Sequence, residues 1–260
     1  MQKKILILLT YFNRPKLVVN AINSIIEANK LHQNWQLVVG DDNSKIPAEP
    51  IVKDILKNIN LINPVIYIRS KATIDQKIKE GITIGKYANS TLRESDADYA
   101  IILCDDDELH PVYLYNLNDF FNNHNDILYC YSDLILYNPL LQRSCDAELV
   151  HNKYNVYKEP INCAGKVDAS QVAWRLSCNK VHNAWFAETT GIDIKRPWMI
   201  NTDQYFFEQL HDKCGFGHYT GFFSQYKGIH DYQLLWYKDS GIKGLVKYND
   251  KIEKLGGIKF

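Results

Sequence analysis

The sequence predicts an α/β fold: a three-layer α/β/α sandwich on a mostly parallel, Rossmann-like sheet, followed by a less regular second half. Three observations predict it. Apolar runs of strand length alternate with amphipathic helical stretches from Ile5 to Tyr131. Three of those runs end in loops rich in polar groups, and the alternation fails after about Asp133. Repeated strand–helix–strand units favour parallel strands joined by right-handed crossovers.

Ile5 to Leu9 reads as the first strand, ending at Thr10 and leading into the loop Tyr11-Phe12-Asn13-Arg14-Pro15. The next helix places Leu17, Val18, Ala21, Ile22, Ile25 and Ile26 on one face, the spacing a 3.6-residue period requires. Pro15 suits its first turn. Trp35 to Val39 is a second strand, ending in Gly40-Asp41-Asp42-Asn43-Ser44. A helix near Ile51 to Leu56 and a strand from Val65 to Ile68 follow.

Ile74 to Arg93 is expected to be helical, although Gly81 and Gly85 oppose it. Tyr99 to Leu103 is the fourth strand, Val112 to Phe121 a helix, and Ile127 to Tyr131 a further strand. Residues 134–180 read as loops and short strands, with polar stretches such as Asn152 to Pro160. Ala184 to Thr190 and Thr202 to Lys213 are expected to be helices, the second with Thr202 as its N-cap. Tyr219 to Tyr226 reads as a strand, and the segment from Lys238 onward is rich in Lys and Gly.

With 260 residues, the chain can hold one large α/β domain or two small ones. Its 30 basic and 30 acidic residues cancel, which argues against a dedicated nucleic-acid binder. Met1-Gln2-Lys3-Lys4 leads into only five strongly apolar residues, so no signal peptide is expected, and no apolar stretch approaches transmembrane length. The six cysteines, Cys104, Cys130, Cys145, Cys163, Cys178 and Cys214, are widely spaced with no Cys-x-x-Cys pair, against zinc and thioredoxin-like readings. Reduced core thiols and a cytoplasmic location are expected, with a peripheral position at the membrane as an alternative.

The most informative junction is the acid run Asp105-Asp106-Asp107-Glu108 directly after Tyr99-Ala100-Ile101-Ile102-Leu103-Cys104. The apolar run is a buried strand, so these carboxylates are held at a sheet edge. Two like charges about 4 Å apart repel by roughly 4 kcal/mol at an effective dielectric near 20. A hard divalent cation such as Mg²⁺ or Mn²⁺ relieves that crowding. The bland alternative is a solvated acidic turn. Open α/β sheets bind ligands at the carboxyl ends of their strands, and there Thr10 to Arg14, Asp41 to Ser44 and Asp105 to Glu108 can converge. A nucleotide fits such an edge, with one carboxylate on the imide N–H of uracil and another near the ribose.

These residues resemble the inverting family-2 glycosyltransferases of the GT-A fold, from about Ile5 to Ser240. Thr10-Tyr11-Phe12-Asn13-Arg14 is similar to that family's first nucleotide loop, which makes Thr10, Phe12 and Arg14 candidate donor contacts. Val38-Val39-Gly40-Asp41-Asp42-Asn43-Ser44 resembles its uracil-reading turn, with Asp42 facing the base. Leu103-Cys104-Asp105-Asp106-Asp107, with Pro111 beyond, resembles its Asp-x-Asp metal signature. Counting back from Pro111 puts the metal ligand on Asp106 and leaves Asp105 beside the ribose, with Cys104 where the family's first Asp is usual. A pairing of Asp105 with Asp107 stays open, and Asp107 is kept as a second metal candidate.

The resemblance implies more. Asn201-Thr202-Asp203-Gln204-Tyr205-Phe206-Phe207 is similar to the segment carrying the general base, here Asp203; the alternative is a carboxylate that merely favours a helix's first turn. Lys227-Gly228-Ile229-His230 resembles a late basic-x-His element whose His230 completes the metal shell or meets a phosphate, against an ordinary structural histidine. His182 is a candidate for the acceptor pocket or for plain packing. Lys77, Lys79, Lys86 and Arg69 are candidates for the diphosphate, since Ala88-Asn89 stands where the family often has Arg-Asn; solvated lysines are the default alternative.

The implied division is a nucleotide-sugar-binding half at 1–133, an acceptor-binding and catalytic-base half of the same domain at 134–240, and a tail at 241–260. The implied activity is transfer of a sugar from a nucleoside diphosphate sugar, a UDP-sugar first, to a hydroxyl, with Mn²⁺ or Mg²⁺ on the diphosphate. The acceptor is a surface polysaccharide or lipid-linked glycan, or a hydroxylated base in phage DNA, which Lys195-Arg196 could approach and which would place the chain in a host cytoplasm. A nucleotide-sugar-binding protein without turnover is a competing reading. A nucleotidyltransferase is a third, opposed by the lack of a glycine-rich basic loop near the amino end.

Overall fold

The strand β1 (Ile5–Tyr11) runs through the middle of the sheet and is buried on both faces, as a continuous apolar run between two parallel neighbours should be. The structure is a computed structural model that describes residues 2–73, 85–138, 143–144, 159–164, 166–188 and 202–228. Along these residues follow α1 (Leu17–Asn29), β2 (Trp35–Asp41), α2 (Ala48–Leu56), β3 (Ile66–Arg69), α3 (Gly85–Glu94), β4 (Tyr99–Cys104) and β5 (Asp107–Leu109). Then come α4 (Tyr113–Asn123), β6 (Tyr129–Asn138), β7 (Arg143–Ser144), a 3₁₀ turn (Ala169–Gln171), β8 (Val172–Arg175), α5 (Ser177–Lys180), α6 (Thr202–Cys214) and β9 (His218–Gly228). The strands form one nine-stranded sheet ordered β3-β2-β1-β4-β8-β6-β9-β5, with β7 beside β6.

Strand periodicity sorts the core into two layers. Ile5, Ile7 and Leu9 of β1, with Tyr99, Ile101 and Leu103 of β4, pack against Val18, Ala21, Ile22 and Ile25 of α1, Val52 of α2 and Leu117 of α4. Leu6 and Leu8, with Ala100 and Ile102, face the other way, toward Leu92 of α3, Cys178 of α5 and Phe206, Phe207 and Leu210 of α6. The expected three-layer α/β/α arrangement is present.

The sheet is parallel across β3, β2, β1 and β4, but β8 enters antiparallel between β4 and β6, and β5 pairs antiparallel with β9. β6 and β9 are parallel to each other. The reversal at β8 gathers the carboxyl ends of β1, β2, β4, β6 and β9 on one edge, together with the turn that feeds β8. That edge positions the site.

Two expectations change. Asp105 to Glu108, expected to form a strand-end loop, gives part of its length to β5; acids are poor strand formers, and Asp107 and Glu108 are drawn into a ladder by β9. Residues 184–188, expected in a helix, are not helical, because Asn89 takes over their backbone pairing: its Nδ2 donates to Phe186 O at 2.9 Å and its Oδ1 accepts from Phe186 N at 3.0 Å. Here α3 packs closely on the segment, and a Cβ on Gly85 would collide with the Ala187 carbonyl oxygen. The helix expected over 74–93 is seen as α3 in its described part; residues 74–84 lie outside the described residues.

Candidate functional site

Three loops meet where β1, β2 and β4 end. The backbone joins them: Asp42 N donates to Tyr11 O at 3.0 Å, and Asp105 N donates to Thr10 O at 3.0 Å. Side chains tighten the first two. Asn13 N donates to Ser44 Oγ at 3.0 Å, and Lys45 N donates to Asn13 Oδ1 at 2.7 Å. Asn13 and Asn43 both hold left-handed backbone, φ 53° and 61°, which asparagine tolerates better than most residues.

The two acids of the second loop divide the work. Asp41 is buried and accepts from Ser44 N at 2.8 Å and from Ala48 N at 3.1 Å, so it closes the turn and seats the start of α2. Asp42 is half-buried at the rim of the edge. Arg69, from the neighbouring β3, donates to Ser44 O at 2.6 Å and stands beside the same loop.

Asp105, Asp106 and Asp107 are all buried. Phe12 N donates to Asp105 Oδ2 at 2.8 Å, while Arg14 Nη1 lies 2.9 Å from Asp105 Oδ1 and 2.9 Å from Asp106 Oδ2. Arg14 therefore bridges two adjacent carboxylates. Burial pushes the Asp105 carboxyl up to about 6, with the Phe12 N–H and the Arg14 guanidinium pulling the other way.

Asp107 begins β5 and pairs in register with Lys227 of β9. Lys227 Nζ lies 3.3 Å from Asp107 Oδ2 and 3.2 Å from Asp168 Oδ1. Burial disfavours the ammonium, but Asp107 and Asp168 outweigh it and hold Lys227 protonated well above its ordinary range. Burial alone would raise Asp168; Lys227 and the Ser170 hydrogen bonds reverse this and lower it.

Cys104 Sγ and carboxylate oxygens of Asp106 and Asp107 lie within 4.8 Å of one another. A hard divalent cation fits the two carboxylates, since it prefers oxygen donors. Cys104 fits it poorly: burial, then the Asp107 charge, keeps the thiol protonated. Among the described residues of this group, Asp106 and Asp107 are thus the two that could hold such an ion. Asp203 sits half-buried in the first turn of α6, where burial and then the Asp168 charge raise its carboxyl.

Of the residues singled out from sequence, Thr10, Phe12, Arg14, Asp42, Asp105, Asp106 and Asp107 meet at this edge, and Asp203 lies close enough to feel Asp168 and Lys227. Lys77, Lys79, His230 and Lys195-Arg196 lie outside the described residues. Lys86 is exposed on α3, and His182 is half-buried just after α5. Asp168 was missed. Its sequence context, Asp168-Ala169-Ser170-Gln171, reads as a helix cap, and it is one: Ser170 N donates to its Oδ1 while Gln171 Oε1 accepts from its backbone N–H.

Residues 6–174 match the model of a known family, described as glycosyl transferase family 2. Protein CgeD of Bacillus subtilis is 28% identical over 116 residues, covering 43% of this chain and 24% of CgeD. Among solved structures, S. aureus TarS 1–349 in complex with UDP-GlcNAc superposes with a TM-score of 0.63 at 15% identity, covering 88% of this chain and 59% of that one. The same TarS fragment in complex with UDP gives 0.61 at 13% identity, over 92% and 64%. This chain thus spans under two thirds of each of these relatives.

Proposed function

We propose that this chain, which belongs to glycosyl transferase family 2, moves a sugar with inversion from a nucleoside diphosphate sugar to a hydroxyl acceptor. The observation that carries the reading is the meeting of three strand-end loops on one edge, the third bringing the buried Asp105, Asp106 and Asp107, with Asp203 on a nearby helix. The uridine nucleotides in the TarS complexes support a UDP-sugar as donor.

In this reading Asp42 takes the imide N–H of the base, and the loop Thr10 to Arg14 with Asp105 flanks the ribose. Asp106 and Asp107, joined by His230, hold Mn²⁺ or Mg²⁺, whose chemistry is to stabilise negative charge on the leaving diphosphate. Arg69, Lys77, Lys79 and Lys86 are the basic side chains assigned to the phosphates. Asp203 accepts the proton of the acceptor hydroxyl as that oxygen attacks the anomeric carbon, and the bond to the diphosphate breaks on the opposite face. A carboxylate raised by burial is a stronger base than a solvated one. Residues 1–133 supply the donor half and 134–240 the acceptor half. The acceptor is a hydroxyl of a polysaccharide or glycan, or of a hydroxylated base in phage DNA; the balanced charge of the chain favours the glycan. No helix among the described residues is long and apolar enough to cross a membrane, and action in the cytoplasm on a soluble donor fits the reading.

The test is donor hydrolysis and transfer screened across nucleotide sugars, with Mn²⁺, with Mg²⁺ and with chelator. Asp203→Asn should retain donor binding while losing transfer by roughly 10²- to 10⁴-fold. Donor binding with full transfer by that variant would remove Asp203 as base, and no donor binding by the unaltered chain would remove the whole reading.

A further inference from the structure

Lys227 presents one ammonium to two carboxylates that belong to different parts of the site. Asp107, 3.3 Å away, is one of the two oxygen ligands offered to a divalent cation; Asp168, 3.2 Å away, lies outside the Cys104, Asp106 and Asp107 group. Lys227 is itself buried, so its ammonium depends on these carboxylates for the charge compensation that water would give elsewhere. Asp168 is firmly placed. Its Oδ1 accepts from Ser170 N at 3.1 Å and Ser170 Oγ at 2.7 Å, and its backbone N–H donates to Gln171 Oε1 at 2.8 Å. Gln171 Nε2 in turn donates to Ser132 O at 2.8 Å, which anchors the turn to β6.

We propose that Lys227 is a resident counter-cation of the acid cluster, yielding Asp107 to a divalent ion and staying on Asp168, and that Asp168 is the positioning residue that retains it. The inference rests on the reading of Asp106 and Asp107 as metal ligands, and it adds a competition built into the chain. A divalent ion and the ammonium bid for the same Asp107 carboxylate. With Lys227 in place the ion alone binds weakly. Asp168 eases the exchange by keeping a carboxylate on the ammonium when Asp107 is given up.

Titration calorimetry of Mn²⁺ alone, without nucleotide, tests the exchange on Lys227→Met, Asp168→Asn and the double variant, with UDP titrated separately. Lys227→Met should bind Mn²⁺ more tightly by at least about fivefold, and Asp168→Asn more weakly by a similar factor. The double variant separates positioning from bulk electrostatics: if Asp168 acts through Lys227, Asp168→Asn has no further effect once Lys227 is Met, whereas two independent charges would add. A second measurement needs no variant. In ¹⁵N spectra of the unaltered protein, the Lys227 Nζ signal should move during a Mg²⁺ titration. An additive cycle, an unchanged Lys227→Met affinity, or a stationary Nζ signal at saturating Mg²⁺ overturns the inference alone when Mn²⁺ and UDP still bind. Failure of the unaltered chain to bind either one overturns the reading beneath it as well.

Discussion

Arg14 ties the loop after β1 to the end of β4 by placing one guanidinium nitrogen 2.9 Å from Asp105 Oδ1, and the same nitrogen lies 2.9 Å from Asp106 Oδ2. In our reading the contact joins two residues beside the donor, Arg14 and Asp105, to Asp106, a proposed metal ligand. Replacing Arg14 with Met leaves both buried carboxylates short of a partner, at a cost of about 2 kcal/mol. Urea unfolding should show a lowered midpoint, and UDP affinity should fall with it. An unchanged midpoint would mean that solvent or a neighbouring cation replaces the guanidinium.

Asp106 and Asp42 should fail differently. Asp106→Ala should abolish the Mn²⁺ dependence of UDP binding, because it removes one of the two carboxylates we propose as metal ligands. Asp42→Ala should weaken UDP binding while the ratio of affinities with and without Mn²⁺ stays near that of the unaltered chain. Calorimetry with and without Mn²⁺ reads both. Unaltered affinity in the Asp106 variant would move the metal ligand to a different acid.

Asp203 carries a pH prediction. Burial and then the Asp168 charge raise its carboxyl, so the proton is held to higher pH than on a solvated aspartate. In our reading Asp203 is the base and works only when deprotonated, so kcat/KM should fall on the acid side along a limb at higher pH than a solvated aspartate would give. Asp168→Asn removes the like charge and should move that limb to lower pH. A pH–rate profile of the two proteins is the measurement, and coincident acid limbs would assign the limb to another group.

Asn89 supports the segment between α5 and α6. Its buried amide makes two bonds to the backbone of Phe186 and a third, at 3.0 Å, to Glu188 Oε1. Asn89→Ala strands a buried N–H and a buried C=O, and should cost about 2–4 kcal/mol. Thermal or denaturant unfolding gives the value. A loss below about 0.5 kcal/mol, the size expected of a surface change, would show that the segment finds other partners.

The first half was legible because its signals are local. Ile5 to Leu9 and Tyr99 to Leu103 are apolar runs too regular for loops, and the acids after Leu103 inherit their position from that strand. The second half depends on distant partners. Val172 to Arg175 is too short to declare a direction, and only its neighbours β4 and β6 make it antiparallel. Ala184 to Glu188 has the composition of a helix but answers to Asn89, far away in sequence. Within the site, Asp168 announced only its cap, because the ammonium it meets lies on β9. Lys227 stood inside a recognisable motif, yet nothing local indicated that it would be buried between two acids.

The placement of β8 has a practical consequence for engineering. Because this strand is seamed to β4 on one side and β6 on the other, the chain after residue 133 cannot be exchanged like a detachable module. A chimera that imports a foreign second half would break the β4–β8 seam and bare the backbone of β4, an open invitation to aggregation. Reprogramming of the acceptor is better attempted by changing side chains within the native ladder than by cutting it.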